Sequence, residues 1–164
     1  SAKTASRRWF GAFVYTVATR FAKTATHTNP RRALTNHEWE KYCFVAVGSL
    51  YGVELLHDNC VACHEWLYKI VEGEYKHVAR KQQNPAFLDA VWYVLERNVL
   101  NGNALSLKAV DENGNDTDEP IIFSEWSIVT GDRVSQRDFR LGDAGGQLGP
   151  AAGAPLRLER HPHL

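Results

Sequence analysis

The run Cys60-Val61-Ala62-Cys63-His64 carries the sharpest chemical signal in the chain. Two thiols three positions apart, followed directly by an imidazole, is the spacing that joins a haem through two thioethers and offers its iron a proximal nitrogen. The same side chains suit tetrahedral zinc, with Cys60, Cys63 and two of His57, His64 and Cys43 as ligands. A third reading needs no ligand, since Cys60, Cys63 and Leu67 recur along one stripe of a helix, where cysteine behaves as a small apolar side chain. That third reading is the expectation, with neither cofactor nor metal.

Upstream, Gly52, Leu55, Leu56 and Asn59 extend the pattern, so that the stretch from Gly52 to His64 resembles the first helix of class I cytochromes c. The resemblance implies an electron carrier bearing haem c on Cys60, Cys63 and His64. Beyond that stretch it stops. The chain contains no Met, and the second axial ligand would have to be His57, His37 or His77, giving a lower potential than a Met/His pair.

Cys43 precedes Phe44 near the start of an apolar helix, a placement that resembles the nucleophile of papain-like proteases, because a helix N-terminus favours a thiolate. Its partner would be sought among His77, His161 and His163, but a buried cysteine is expected. The segment Asp111-Glu112-Asn113-Gly114-Asn115-Asp116 is similar to the opening of an EF-hand calcium loop. Position six holds Asp116 instead of Gly and position twelve holds Ile122 instead of Glu, so an exposed hairpin tip is expected. No glycine-rich phosphate loop, serine elbow or HExxH is present, and the expectation is a non-enzyme.

Nineteen basic and nineteen acidic residues cancel, yet residues 1–37 contain no acid and hold Lys3, Arg7, Arg8, Arg20, Lys23, Arg31 and Arg32. The remainder carries 12 basic against 19 acidic side chains. Within the basic stretch Phe10, Phe13, Val14, Val17 and Phe21 recur with helical period, which predicts an amphipathic basic helix. Arg7, Arg8, Trp9, Phe10, Phe13, Val17, Arg20, Phe21 and Lys23 are therefore the expected partner-binding set, facing other protein subunits or an anionic lipid surface. Aromatic rings among arginines also suit stacking on RNA. Helices followed by a hairpin resemble a winged-helix DNA reader, but the five carboxylates at its tip would meet phosphates, which argues against nucleic acid.

Thr35 and Glu38 form a capping box that predicts a helix from Asn36 to Leu56, with Gly48 and Gly52 marking close approach of another backbone. A second helix is expected from Asn59 to Lys81, with Gly73 its weak point. Asn84 and Pro85 start a third, which Asn101 and Gly102 end. Leu88, Val91, Trp92 and Leu95 should pack on the first helix and on Leu67 and Val71. Leu105, Leu107 and Ala109 then alternate with polar neighbours, and one β-hairpin joins them to Ile121–Val129.

The expected fold is thus mainly α: a core of about three helices with an amphipathic N-terminal helix, a C-terminal β-hairpin and an irregular tail. The divisions are a basic arm over 1–34, a helical core plus hairpin over 35–130, and a Gly/Pro-rich extended tail over 131–164. The apolar runs are too short to span a bilayer. The acid-free arm resembles a mitochondrial targeting segment in composition. Together these features point to a non-catalytic accessory subunit of a large mitochondrial inner-membrane, energy-transducing complex, peripheral to that membrane and gripping its neighbours through arm and tail. A haem c electron carrier and a basic-arm nucleic-acid-binding protein are the alternatives.

Overall fold

The computed structural model describes residues 35–129, 133–140 and 147–150, the last four as backbone alone. Helix α1 (Asn36–Gly48) starts where its capping box demands. The Glu38 amide donates to Thr35 Oγ1 at 3.2 Å, and the Thr35 amide donates to Glu38 Oε2 at 2.8 Å. The helix stops at Gly48 rather than Leu56, because Ser49 turns back on it, its amide on Val45 O and its hydroxyl on Ala46 O at 2.7 Å.

Strand β1 (Gly52–Glu54) comes next along the chain, and after it helices α2 (His57–Ala79) and α3 (Pro85–Asn98). Asn84 caps α3 through its side chain, which accepts from the Ala86 amide at 3.2 Å, and Pro85 fills a first-turn position whose N–H needs no partner. Strand β2 (Val99–Asn103) begins where α3 ends and lies parallel to β1, Gly52 opposite Val99 and Glu54 opposite Asn101. Residues 101–102 are therefore strand and not a helix stop. Strands β3 (Lys108–Val110) and β4 (Asp116–Pro120) complete a four-stranded sheet in the order β1-β2-β3-β4. Strands β5 (Ile122–Val129), β6 (Arg133–Arg140) and β7 (Gln147–Pro150) form a second, antiparallel sheet.

The mainly α expectation with one hairpin and an irregular tail is corrected by these two sheets: the fold is mixed α/β. The expected pairing of residues 105–109 with 121–129 is reduced to one backbone bond, from the Ile121 amide to Leu107 O at 3.1 Å. Residues 108–110 pair instead with β2 and β4, while β5 pairs along its whole length with β6. Strand β4 reads DTDEP and is disguised by its charge, which is how an exposed edge strand is kept from pairing further. Strand β6 buries only Val134, so its sequence shows no apolar alternation.

The core lies where α3 packs on α1 and α2 and the β5–β6 sheet closes over them. Phe87, Val91, Val94 and Leu95 of α3 are fully buried, as are Phe44 and Val47 of α1 and Val71 and Tyr75 of α2. Leu67 and Leu88 pack against this cluster partly buried, as the apolar stripes predict, while Trp92 sits half-buried between His64 and Tyr68, with ring centroids at 6.1 and 5.5 Å. Trp126 of β5 meets Phe44 edge to face at 6.1 Å and lies against Gly48, where an added Cβ would come within 3.1 Å of its own Cβ. The close approach predicted at Gly48 is real, but the neighbour is a side chain.

Asn98 ties the layers together. Buried at the end of α3, its amide donates to Gly48 O at 3.1 Å and its carbonyl accepts from the Ser124 amide at 3.2 Å. One side chain thereby satisfies the end of α1 and the start of β5, which would otherwise bury unpaired backbone groups.

Candidate functional site

The CxxCH segment lies in the first turns of α2, directly after β1. The turn leading into it is fixed from both sides, since Asn101 Nδ2 donates to Glu54 O at 2.8 Å and to Leu55 O at 2.9 Å, and the Leu56 amide donates to Glu54 Oε1 at 3.1 Å. This anchors α2 over the parallel β1–β2 pair. Cys60 is buried there and Cys63, one turn on, is half-buried. His64 Nε2 donates to Val99 O at 2.7 Å, and Cys60 Sγ stands 3.4 Å from the same carbonyl and 3.9 Å from His64 Nε2. Sulfur, imidazole nitrogen and strand carbonyl thus converge at the junction of α3 and β2.

Burial, then the neighbouring Cys63, then Glu54 push the Cys60 thiol above its ordinary range. The cause is desolvation of the thiolate, reinforced by like charge. The nitrogen that a proximal haem ligand would offer iron is here spent on a backbone carbonyl, and Cys60 faces the protein interior. Among the described residues no three side chains of His, Cys, Asp or Glu are gathered as a metal would need. The supposed fourth ligands are elsewhere: Cys43 is enclosed in the α1 core, and His57 is exposed at the start of α2.

Cys43 is fully buried, and desolvation, helped by Glu74, drives its thiol far above the ordinary range, so it has none of the thiolate character a nucleophile requires. The 111–116 segment closes the β3–β4 turn. Asp111 accepts from the Asn113 amide at 2.9 Å, the Asn115 amide at 2.8 Å and Asn115 Nδ2 at 3.2 Å, holding a tight turn with Gly114 at φ 79°. Its carboxylate is turned inward on its own backbone. The expected partner-binding residues Arg7, Arg8, Trp9, Phe10, Phe13, Val17, Arg20, Phe21 and Lys23 lie outside the described residues, as do His161 and His163.

One polar cluster is absent from the sequence-based expectations. Glu40 is buried in α1, hydrogen-bonded by the Tyr75 hydroxyl of α2, with Asn84 Nδ2 at 3.5 Å and His37 Nδ1 at 3.6 Å. The Tyr75 hydroxyl in turn accepts from the Asn84 amide at 2.8 Å. The Tyr75 ring is stacked on Trp39 at 5.6 Å and tilted against Phe87 at 4.8 Å. A signal for it exists in the sequence: Glu40, Cys43, Phe44 and Val47 share helical spacing, which places one carboxylate on a core stripe where it must find partners. Closed in by aromatic rings, this cluster serves as a clamp on three helices.

A second polar chain crosses from α3 to the β5–β6 sheet. Tyr93 donates to Gln136 Oε1 at 3.4 Å, Gln136 Nε2 donates to Ser124 Oγ at 2.9 Å, and Ser124 Oγ donates to Asp138 Oδ1 at 2.7 Å. It fixes the sheet on the helices in one register. No family model, curated protein sequence or solved structure matches this chain.

Proposed function

We propose that the protein is a non-catalytic accessory subunit of a large mitochondrial inner-membrane, energy-transducing complex. Its basic arm, residues 1–34, and the part of its tail beyond the second sheet, residues 151–164, grip neighbouring subunits, and the body between them, β6 and β7 included, is the rigid support. The observation that carries this reading is the apolar surface at the entry to α2, where Leu55, Leu56 and Val61 are 46%, 54% and 40% exposed within one short stretch. Apolar side chains gathered in this way leave water when a partner covers them.

The charge layout supports the same reading. An acid-free arm complements acidic protein surfaces and anionic lipid headgroups alike. The Glu40–Tyr75–Asn84 clamp and the Asn98 tie supply the stiffness that a support needs. No helix among the described residues is long and apolar enough to cross a membrane, and the membrane contact proposed is peripheral.

The test is assembly. Tagged full-length chain expressed in mitochondria should migrate in a high-molecular-mass complex on native gels and co-purify with the same subunits at fixed ratio. Deleting residues 1–24 or 151–164, or replacing Leu56 by Glu, should abolish incorporation while circular dichroism shows the body folded. Normal incorporation of all three variants would refute the reading.

A further inference from the structure

Cys60 and Cys63 form a dithiol by placement as well as by spacing. Residues three apart on an α-helix have Cα atoms about 5 Å apart on one face, within the range of about 4.4–6.8 Å that a disulfide bridges. The two thiols differ in access, Cys60 being buried and Cys63 half-buried. They sit where a strand hands over to a helix, in a connection that runs β1–α2–α3–β2 between parallel strands. A CxxC in the opening turns of such a helix is the setting in which dithiol redox chemistry operates.

The third observation is the position of His64. Its Nε2–H points at Val99 O at 2.7 Å with Cys60 Sγ only 3.9 Å away, so the same N–H can turn from the carbonyl to the sulfur. A sulfur that loses its proton there gains a donor at once.

We propose that Cys60 and Cys63 are a reversible dithiol–disulfide couple that exchanges with low-molecular-weight disulfides, Cys63 entering the reaction and Cys60 resolving it. The Cys63 thiolate attacks one sulfur of R–S–S–R, forming a Cys63–S–S–R bond and expelling RS⁻, which takes up the proton Cys63 has lost. Cys60 then gives up its proton and attacks Cys63 Sγ. The Cys60–Cys63 disulfide forms, the Cys63–S–R bond breaks, and the second RS⁻ takes the Cys60 proton. Two protein thiols are oxidised while one disulfide is reduced to two molecules of RSH. Burial keeps Cys60 protonated at rest, which reserves the first attack for Cys63. Closure draws Cys60 off Val99 O and pulls together Cβ atoms that a regular helix holds about 5–6 Å apart, which makes the bond a labile one.

The inference is independent of the assembly reading. The experiment incubates full-length protein with glutathione disulfide under native conditions and follows intact mass and peptide maps. Wild-type chain should lose the mass of two hydrogens, map to a Cys60–Cys63 link, and return to the dithiol in excess reduced glutathione. Cys60→Ser should stop at one glutathione adduct on Cys63, and Cys63→Ser should take none. Because Cys60 is a core position, the wild-type map and the Cys63→Ser variant decide the matter if Cys60→Ser unfolds. A lasting adduct on wild-type Cys63, modification at Cys60 or Cys43 without the link, or no mass change would overturn the proposal.

Discussion

The Tyr75 hydroxyl donates to the Glu40 carboxylate and accepts from the Asn84 amide, so a single oxygen joins α1, α2 and the cap of α3. Tyr75→Phe keeps the ring on Trp39 and Phe87 but takes that oxygen away. Both a buried carboxylate and a buried N–H lose a partner, at about 1–3 kcal/mol each. Urea denaturation should show a loss of about 2–4 kcal/mol with the slope unchanged. A loss below about 0.5 kcal/mol would mean the clamp carries no weight.

Leu95 is fully buried in the last turn of α3, with Val91 and Val94 beside it in the same cluster. Leu95→Ala removes that packing and leaves a cavity in a helix fixed on several sides. The expected loss is about 2–5 kcal/mol by the same denaturation assay.

Two glycines should respond with opposite sign. Gly73, inside α2, has open space where a Cβ would go, so Gly73→Ala should stabilise by about 0.5–1 kcal/mol through the unfolded chain and helix propensity. Gly48→Ala would drive a Cβ to 3.1 Å from that of Trp126 and should destabilise by about 1–3 kcal/mol, with a change in tryptophan fluorescence. Thermal melts of the pair check both signs in one experiment.

The β3–β4 turn should open in acid. The Asn115 amide and side chain, then the Asn113 and Gly114 amides, hold the Asp111 carboxyl below the ordinary carboxylate range. For a carboxyl lowered in the folded state, the stabilisation is complete above its ordinary value and is lost as pH falls through the lowered one. Amide resonances of Asn113 and Asn115 should therefore stay fixed through the ordinary carboxylate range and move only at lower pH. Asp111→Asn should remove that transition. Movement of the wild-type resonances within the ordinary range would contradict the geometry.

Two helix starts are legible because they are written locally, Thr35 with Glu38 and Asn84 with Pro85, whereas α2 starts at His57 instead of Asn59 because Leu56 before it offers no side-chain cap to read. The α3 stripe is legible through Val91 and Leu95. The sheets are not, and the reason is physical. Strand β1 has only three residues and takes its identity from β2, 47 positions later in the chain, at the Gly52–Val99 pairing. Strand β6 is held by its full ladder to β5 and by the Arg137–Glu125 ion pair, neither of which leaves an apolar pattern to read. At the CxxCH segment the motif is visible, but not that Val99 O would claim both Cys60 and His64. The buried Glu40 escapes notice because its partners, Tyr75 and Asn84, come from distant turns.

The parallel pairing of β1 with β2 also fixes an order of events during synthesis. When Gly52–Glu54 leaves the ribosome its partner has not been made, and α2 and α3 must emerge before the ladder can form. Until then Cys60 has no Val99 carbonyl and Asn101 cannot close the turn at Glu54 and Leu55. The nascent chain therefore carries an open strand edge and two uncovered thiols through the slow, long-range step that completes the sheet. Ribosome-stalled chains ending before residue 99 should label fully at Cys60 and Cys63, and chains long enough to expose β2 should protect Cys60.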